Sequence, residues 1–240
     1  MVINNPGINT TIGDINIIEI VPMEIEGNNW FCVGFEESSQ KRGDNIHLAL
    51  ILSSVTKNYD NDLVEALLKS LAGEENVLLR IHSECILGDA LHSGLCDCGK
   101  QLSSTINLIS NTGSGIILYL RQEGRGIGLR NKLSCLAIQE GYLRGKKIDK
   151  KYSPDQANLV LGHPIDNRNY EIASEFIKLT GLKSIRLISG NPEKINTLKN
   201  NGVEISEIVD IPRTDHTQRE LKEIKEKLSR NYHYPNLKFS

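Results

Sequence analysis

Along this chain the apolar residues fall into short blocks, and their period changes from one block to the next. Residues 1–28 are rich in Asn, Gly and Ile and show no helical period; residues 15–21 read as a strand after a loose terminus. Residues 30–35 and 46–52 are short apolar runs that read as strands, with residues 36–44 as their connection. Over residues 62–71, Leu63, Ala66, Leu67 and Leu71 recur at helical spacing. Residues 76–82 return to a strand, and residues 99–110 read as a helix with Leu102, Ile106, Leu108 and Ile109 on its apolar side. Residues 115–120 are almost continuously apolar, the pattern of a central strand buried on both faces. A long helix from about residue 129 to 142 follows, then a short one at 155–161 and an amphipathic one at 171–180. A strand at 185–189, a helix opened by Pro192 and a strand at 203–211 complete the pattern. Residues 215–230 form a charged helix whose Leu221, Ile224 and Leu228 make one narrow stripe, suited to docking on the body or on a partner subunit. Strands and helices alternate after residue 76, which predicts an α/β (α+β) fold, a mixed sheet flanked by helices, with strand order left open.

Composition narrows the class. The chain has 240 residues, 39% of them hydrophobic and 24% charged, with a net charge of −2. That is an ordinary globular balance, and it argues against a dedicated nucleic-acid binder, which is usually basic. No apolar run reaches the ~18 residues of a membrane span. The N-terminus lacks the charged-then-apolar pattern of a signal peptide. Five cysteines, an odd number with metal-like spacing, read as a reducing, cytoplasmic setting. There is no repeat and no long linker. The expected division is an N-terminal extension at 1–28, a catalytic domain at 29–212, and a C-terminal helix and tail at 213–240.

The chemistry concentrates in residues 80–101. Cys85, Cys96 and Cys98 stand in a C-x10-C-x-C spacing. Structural zinc sites close with four ligands, whereas three protein ligands leave a position for water, which zinc acidifies to a pKa of about 7. The spacing therefore points to metal-assisted hydrolysis. The rival is a closed site with His82 or His92 as fourth ligand. Cys32 and Cys135 sit in apolar surroundings and read as small buried hydrophobes. The strand at 115–120 runs into Arg121-Gln-Glu-Gly-Arg-Gly-Ile-Gly-Leu. A glycine-rich turn ahead of a helix presents N–H groups to an anion, and Arg121, Arg125 and Arg130 add charge. Residues 144–151 are basic and read as a solvated loop. Asp166 and Arg168 lie two residues apart in a turn.

Taken together, Cys85, Cys96-Asp-Cys98 and Arg121-Gln-Glu-Gly-Arg resemble the GTP cyclohydrolase II family, over about residues 30–211. The resemblance implies opening of the guanine imidazole ring of GTP at C8, with release of formate and pyrophosphate. The product would be a diaminopyrimidinone ribose phosphate, the first intermediate of riboflavin synthesis. It implies one Zn²⁺ per chain, Mg²⁺ with the pyrophosphate, and a homodimer, with GTP or a related purine nucleotide as ligand. By resemblance, Cys85, Cys96 and Cys98 are the zinc ligands. Arg80, Ile81, His82, Ser83, Glu84 and Gln101 are nucleotide contacts, as are Glu123, Gly124, Arg125, Ser189 and Lys194. Asp166 and Arg168 stand at the family's catalytic residues, Asp166 at the proton acceptor and Arg168 at the residue that attacks the α-phosphate. Three departures fall together. Leu136 replaces a tyrosine, Pro154 replaces a threonine, and extra residues lie around 144–151. They open the alternative of a diverged paralogue that stops at a formamidopyrimidine or takes another purine nucleotide, with Tyr142 or Tyr152 as replacement phenols. A non-catalytic nucleotide-binding protein is the alternative outside the enzyme class.

Overall fold

The first four strands form an antiparallel meander: β1 (Thr10–Ile12), β2 (Ile15–Ile25), β3 (Asn28–Glu37) and β4 (His47–Leu52) pair in succession. This is a computed structural model, and it describes residues 10–12, 14–39, 46–53, 63–211 and 217–234. The β2–β3 hairpin turns on Glu26 and Gly27, both at positive φ, the geometry that matches the twist of paired strands. The boundary expected after residue 28 falls inside this hairpin. Along β3, Phe31, Val33 and Phe35 enter the main core while Trp30 enters a second cluster on the opposite face.

The rest of the chain alternates helix and strand. In order come α1 (Leu63–Leu71), β5 (Val77–Ser83), α2 (Ile86–Asp89), α3 (Cys98–Thr112), β6 (Gly115–Leu120) and α4 (Gly128–Gln139). They are followed by β7 (Tyr142–Leu143), β8 (Lys146–Lys147), α5 (Pro154–Val160), α6 (Glu171–Thr180), β9 (Ile185–Ile188), α7 (Pro192–Asn200), β10 (Ile205–Val209) and α8 (Gln218–Ser229). The main sheet runs β1-β2-β3-β4-β6-β5-β9-β10. β6 is antiparallel to β4 and parallel to β5, and β5, β9 and β10 are parallel, so the sheet is mixed. Val77, Leu79 and Ile81 of β5 pack with Leu67 of α1 and Phe176 of α6 on one face. Leu78 of β5 and Ile117 of β6 pack with Ile109 of α3 on the other. β6 is buried along almost its whole length, as its unbroken apolar run requires.

Some sequence expectations shift. The strand of residues 15–21 extends to Ile25, and β1 precedes it. The helix expected to reach residue 142 stops at Gln139, because Gly141 takes φ 84° and breaks it. Residues 144–151 are not a plain loop: β7 and β8 form a small exposed hairpin there. The remaining elements match within a few residues. The loose terminus at 1–9, residues 40–45 of the expected connection, Asp62 and residues 215–216 lie outside the described residues.

The parallel strands β5, β6 and β9 turn their carboxyl ends to one edge of the sheet, Ser83 level with Leu120 and Ile188 a few residues short of them. Open α/β sheets bind ligands at the carboxyl ends of such strands. The segments leaving these three ends are 84–98, 121–128 and 189–192, and they carry the expected metal ligands and several of the expected nucleotide residues.

Candidate functional site

Period-two alternation along β5 sorts its residues. Leu79 and Ile81 point into the main core, whereas Arg80 and His82 point toward α3. Ile81 therefore offers its carbonyl, which accepts a 2.7 Å hydrogen bond from Lys194 Nζ, and not its side chain. The Arg80 guanidinium donates to His82 Nδ1 at 3.2 Å and to Gln101 Oε1 at 2.5 Å. With Nδ1 accepting, His82 presents Nε2–H to the Asp89 carboxylate at 3.1 Å. Burial holds this imidazole below its ordinary pKa, consistent with the neutral ring. Asp89 also accepts from the Cys85 N–H and the Tyr119 hydroxyl, both at 2.9 Å.

That network anchors the cysteine turn. Cys85 precedes α2, Cys98 opens α3, and Cys96 stands in the loop between. The three Sγ atoms lie within 4.8 Å of one another, with Cys85 and Cys96 3.4 Å apart. Two thiolates ~2.3 Å from a tetrahedral zinc would stand about 3.8 Å apart, so the spacing fits that ion. Neither His82 nor His92 joins the group, and among the described residues it is the one such cluster. The turn closes only around glycine. A Cβ on Gly88 would meet Cys96 Sγ at 3.0 Å and Cys85 Sγ at 3.1 Å, and one on Gly99 would fall on the Gly88 carbonyl. Hydrogen bonds from Cys96 and Cys98, with the Lys132 ammonium 3.0 Å away, hold Cys85 toward the thiolate.

The glycine turn after β6 sits directly against this cluster. Glu123 clamps the two together: its carboxylate accepts from the Ile86 N–H at 2.7 Å, the Gly124 N–H at 2.8 Å and Lys132 Nζ at 2.7 Å. Arg125 takes φ 60°, a left-handed conformation that costs a non-glycine residue about 1–3 kcal/mol and collects at functional sites. Its guanidinium reaches Asp155 at 2.6 Å. Of the three arginines expected here, Arg125 lines the cavity; Arg121 pairs with Glu84 at 2.8 Å, and Arg130 is exposed on α4.

Asp166 and Arg168 form a two-pronged pair, with bonds of 2.8 and 2.5 Å. Burial would raise the Asp166 pKa, but the guanidinium outweighs it and holds the carboxyl below its usual range. Lys194 is buried and lies 5.3 Å from the Tyr170 ring centre. Burial and the neighbouring Arg168 and Arg80 charges push its pKa well below the ordinary value. Ser189 accepts from the Asn191 N–H at 3.1 Å. Arg80 and Arg168 thus converge on the Lys194 amine, a grouping that an anion would complete.

A cavity of about 150 Å³ joins these parts. Its lining includes Ser83, Glu84, the three clustered cysteines, Glu123, Gly124, Arg125 and Arg168. Arg80, His82, Gln101, Asp166, Ser189 and Lys194 stand outside that lining, in the network behind it. Leu136 and Pro154 line it too, so two of the three departures face the same space as the cysteines. Pro154 occupies the first turn of α5, capped by Ser153, where a missing N–H costs nothing. Neither Tyr142, exposed on β7, nor Tyr152, packed near Ala157, lines the cavity. Tyr232 does, and so does Cys135, which is buried but not merely core. Sequence reasoning missed Lys132, Asp89, Tyr232 and the polar residues of α8. Only spatial proximity identifies them: on α8 the Glu and Lys residues are spaced like any solvated helix.

The profile of the family described as GTP cyclohydrolase II matches residues 18–210. The chain belongs to the GTP cyclohydrolase II family. Among relatives, GTP cyclohydrolase-2 of Haemophilus influenzae strain Rd is 39% identical over 177 residues, covering 74% of this chain and 69% of that protein. The Pasteurella multocida protein of the same name is 40% identical over 177 residues, covering 74% and 68%. That of Shewanella oneidensis is 46% identical over 140 residues, covering 58% and 64%. A solved structure of RibBX, a two-domain 3,4-dihydroxy-2-butanone 4-phosphate synthase from A. baumannii, aligns with 83% of this chain and 41% of its own at TM-score 0.38 and 13% identity. The GTP cyclohydrolase II match encloses every site residue named from the sequence and ends before α8.

Proposed function

We propose that this chain is a zinc-dependent GTP cyclohydrolase II. It opens the guanine imidazole ring of GTP at C8 and releases formate and pyrophosphate, yielding a diaminopyrimidinone ribose phosphate for riboflavin synthesis. One observation carries the reading: three cysteine sulfurs at zinc spacing share a cavity with Arg125 and Arg168. Cys85, Cys96 and Cys98 would hold the zinc, which supplies a Lewis acid and an acidified water. The chain's own residues supply the rest. Arg80, Arg168 and Lys194 bind the triphosphate and stabilise charge as pyrophosphate leaves. Arg80 and Arg168 are cations and Lys194 is an amine donor that takes a charge beside the anion, so Mg²⁺ would be held by phosphate oxygens and not by protein carboxylates. Asp166, kept ionised by Arg168, accepts a proton at its carboxylate oxygen, and Arg168 turns from it to the α-phosphate. Gln101 and Glu123 hold Arg80 and the metal turn in place. Exposed Leu129 and Leu133, one turn apart on α4, give the expected homodimer an apolar surface. A cytoplasmic setting accords with unpaired cysteines.

The test is to incubate the protein with GTP, Mg²⁺ and Zn²⁺ and identify the products by mass. One formate and one pyrophosphate per GTP is the expected result; unaltered GTP would sink the reading. The apolar pair Leu136 and Pro154 in the cavity favours a second one, in which ring opening proceeds but deformylation stalls. Deformylation needs its own water and proton path, which leucine cannot support. In that case the parent accumulates a formylated product and Leu136→Tyr gains formate release. Stoichiometric formate from the parent disposes of this second reading.

A further inference from the structure

The C-terminal segment lies beyond the family match, which ends at residue 210, yet it forms one wall of the cavity. It reaches the site through polar groups. Glu223 Oε1 stands 3.9 Å from the Arg125 guanidinium and 3.1 Å from Lys227 Nζ. Lys227 in turn lies 3.3 Å from Asp97, between two of the metal-site cysteines, and Arg230 lies 3.5 Å from Asp155, the partner of Arg125. Past the helix, the Tyr232 hydroxyl stands 3.3 Å from Arg168, and the His233 N–H donates to the Gly190 carbonyl at 2.9 Å. A Cβ on Gly190 would fall on the His233 carbonyl and the Tyr234 ring, so the tail lies flat on the turn that carries Ser189.

Size decides what this arrangement does. With the segment in place the cavity measures about 150 Å³. Pockets that bury a small molecule run ~300–1,000 Å³. Arg80 and Lys194 are 5% and 7% exposed, buried in the network behind that cavity. The hold is polar: Ile224 is the single apolar residue of α8 that is fully buried, and the contacts of Glu223, Lys227 and Tyr232 are ion pairs and hydrogen bonds that an incoming polyanion can exchange for its own.

We propose that residues 218–234 are a self-occluding strap. Glu223 and Tyr232 add to Asp155 and Asp166 in covering Arg125 and Arg168 where the nucleotide would lie, and GTP enters by exchanging the strap contacts. This rests on the reading of Arg80, Arg125, Arg168 and Lys194 as nucleotide contacts. A protein that must open before binding shows an affinity reduced by its open fraction, so loosening the strap tightens binding.

The experiment measures calorimetric binding of an α,β-methylene GTP analogue to three proteins: the parent, the double variant Glu223→Gln with Tyr232→Phe, and Gly190→Ala. Gly190 is not at positive φ, so alanine suits its backbone while displacing the tail. Hydrogen exchange over residues 218–234 is followed in parallel. Both variants are expected to bind at least fivefold tighter and to exchange faster in the strap, and the analogue should speed strap exchange in the parent. If the parent binds and the variants bind equally or more weakly, the segment is a fixed wall and the strap is refuted alone. If no protein binds, the nucleotide reading falls and the strap falls with it. Should Gly190→Ala not fold, the double variant, which changes no side-chain volume appreciably, decides the matter.

Discussion

Cys96 stands in the loop between α2 and α3, and its sulfur lies 3.4 Å from that of Cys85. Replacing it by serine removes one of three soft ligands without changing the shape of the turn. Cys96→Ser is expected to lose bound zinc, from one ion per chain to almost none, and formate release with it. Metal analysis of the purified variant checks the first and a formate assay the second; formate at the parent rate would remove zinc from the chemistry. On the anion side, Arg125→Ala removes a cation and Lys194→Met removes a buried amine that an anion would charge. Each is expected to raise KM or lower kcat by tenfold or more, a loss of at least about 1.4 kcal/mol of transition-state stabilisation. Steady-state kinetics with GTP reads both, and unchanged constants in the two variants would take these residues out of the site. Lys194 is the more sensitive of the two, because its amine is buried and already discouraged from charge by Arg168 and Arg80.

Among the elements, α2 and α3 meet where Gly88 and Gly99 touch, and that contact sets the width of the metal turn. Gly88→Ala should force the turn apart and weaken zinc affinity by tenfold or more while leaving the sheet folded. A chelator titration followed by circular dichroism separates the two effects, and parent-like zinc affinity would show that the turn adapts. The cysteine cluster is legible in the sequence because Cys96 and Cys98 flank an aspartate and precede a glycine, a setting that suits a ligand turn and not a buried apolar cysteine. The close approach of Gly88 was not, since a lone glycine looks the same in any turn. β6, α6 and β5 were legible because continuous or strictly periodic apolar runs have one stable placement. The end of α4 was not: its polar and apolar residues are mixed around the helix, so no stripe marks where burial stops. α8 shows the limit most clearly. Its apolar stripe announced a docking face, but Glu223, Lys227 and Arg230 gave no sign that they would line the same cavity as Leu136. Charge complementarity between segments far apart in the chain is written in neither segment alone.

For the whole molecule, His47 ties the antiparallel half of the sheet to the glycine turn. Its Nδ1 accepts the Arg121 N–H at 3.0 Å, and its ring lies 5.5 Å from Phe35. Burial, helped by the Arg121 charge, lowers its pKa from 6.5 to about 4. Between those values the unfolded chain binds the proton and the folded chain does not, so stability rises with pH across the window. The contribution is complete above pH 6.5 and is lost on acidification toward pH 4, by at most about 3 kcal/mol. Urea denaturation at about pH 5 and about pH 7 is expected to show this slope, and His47→Gln to flatten it; an equal slope in the variant would assign it elsewhere. The strand order has a further consequence. β6 sits between β4 and β5 although it is the last of the three in the chain. A ribosome therefore finishes the β1–β4 meander long before the strand that must lie against β4 exists. Until residues 115–120 emerge, β4 carries an open row of backbone donors and acceptors, the template on which unrelated chains pair. Synthesis of this protein thus passes through an interval in which its own best partner has not yet been made.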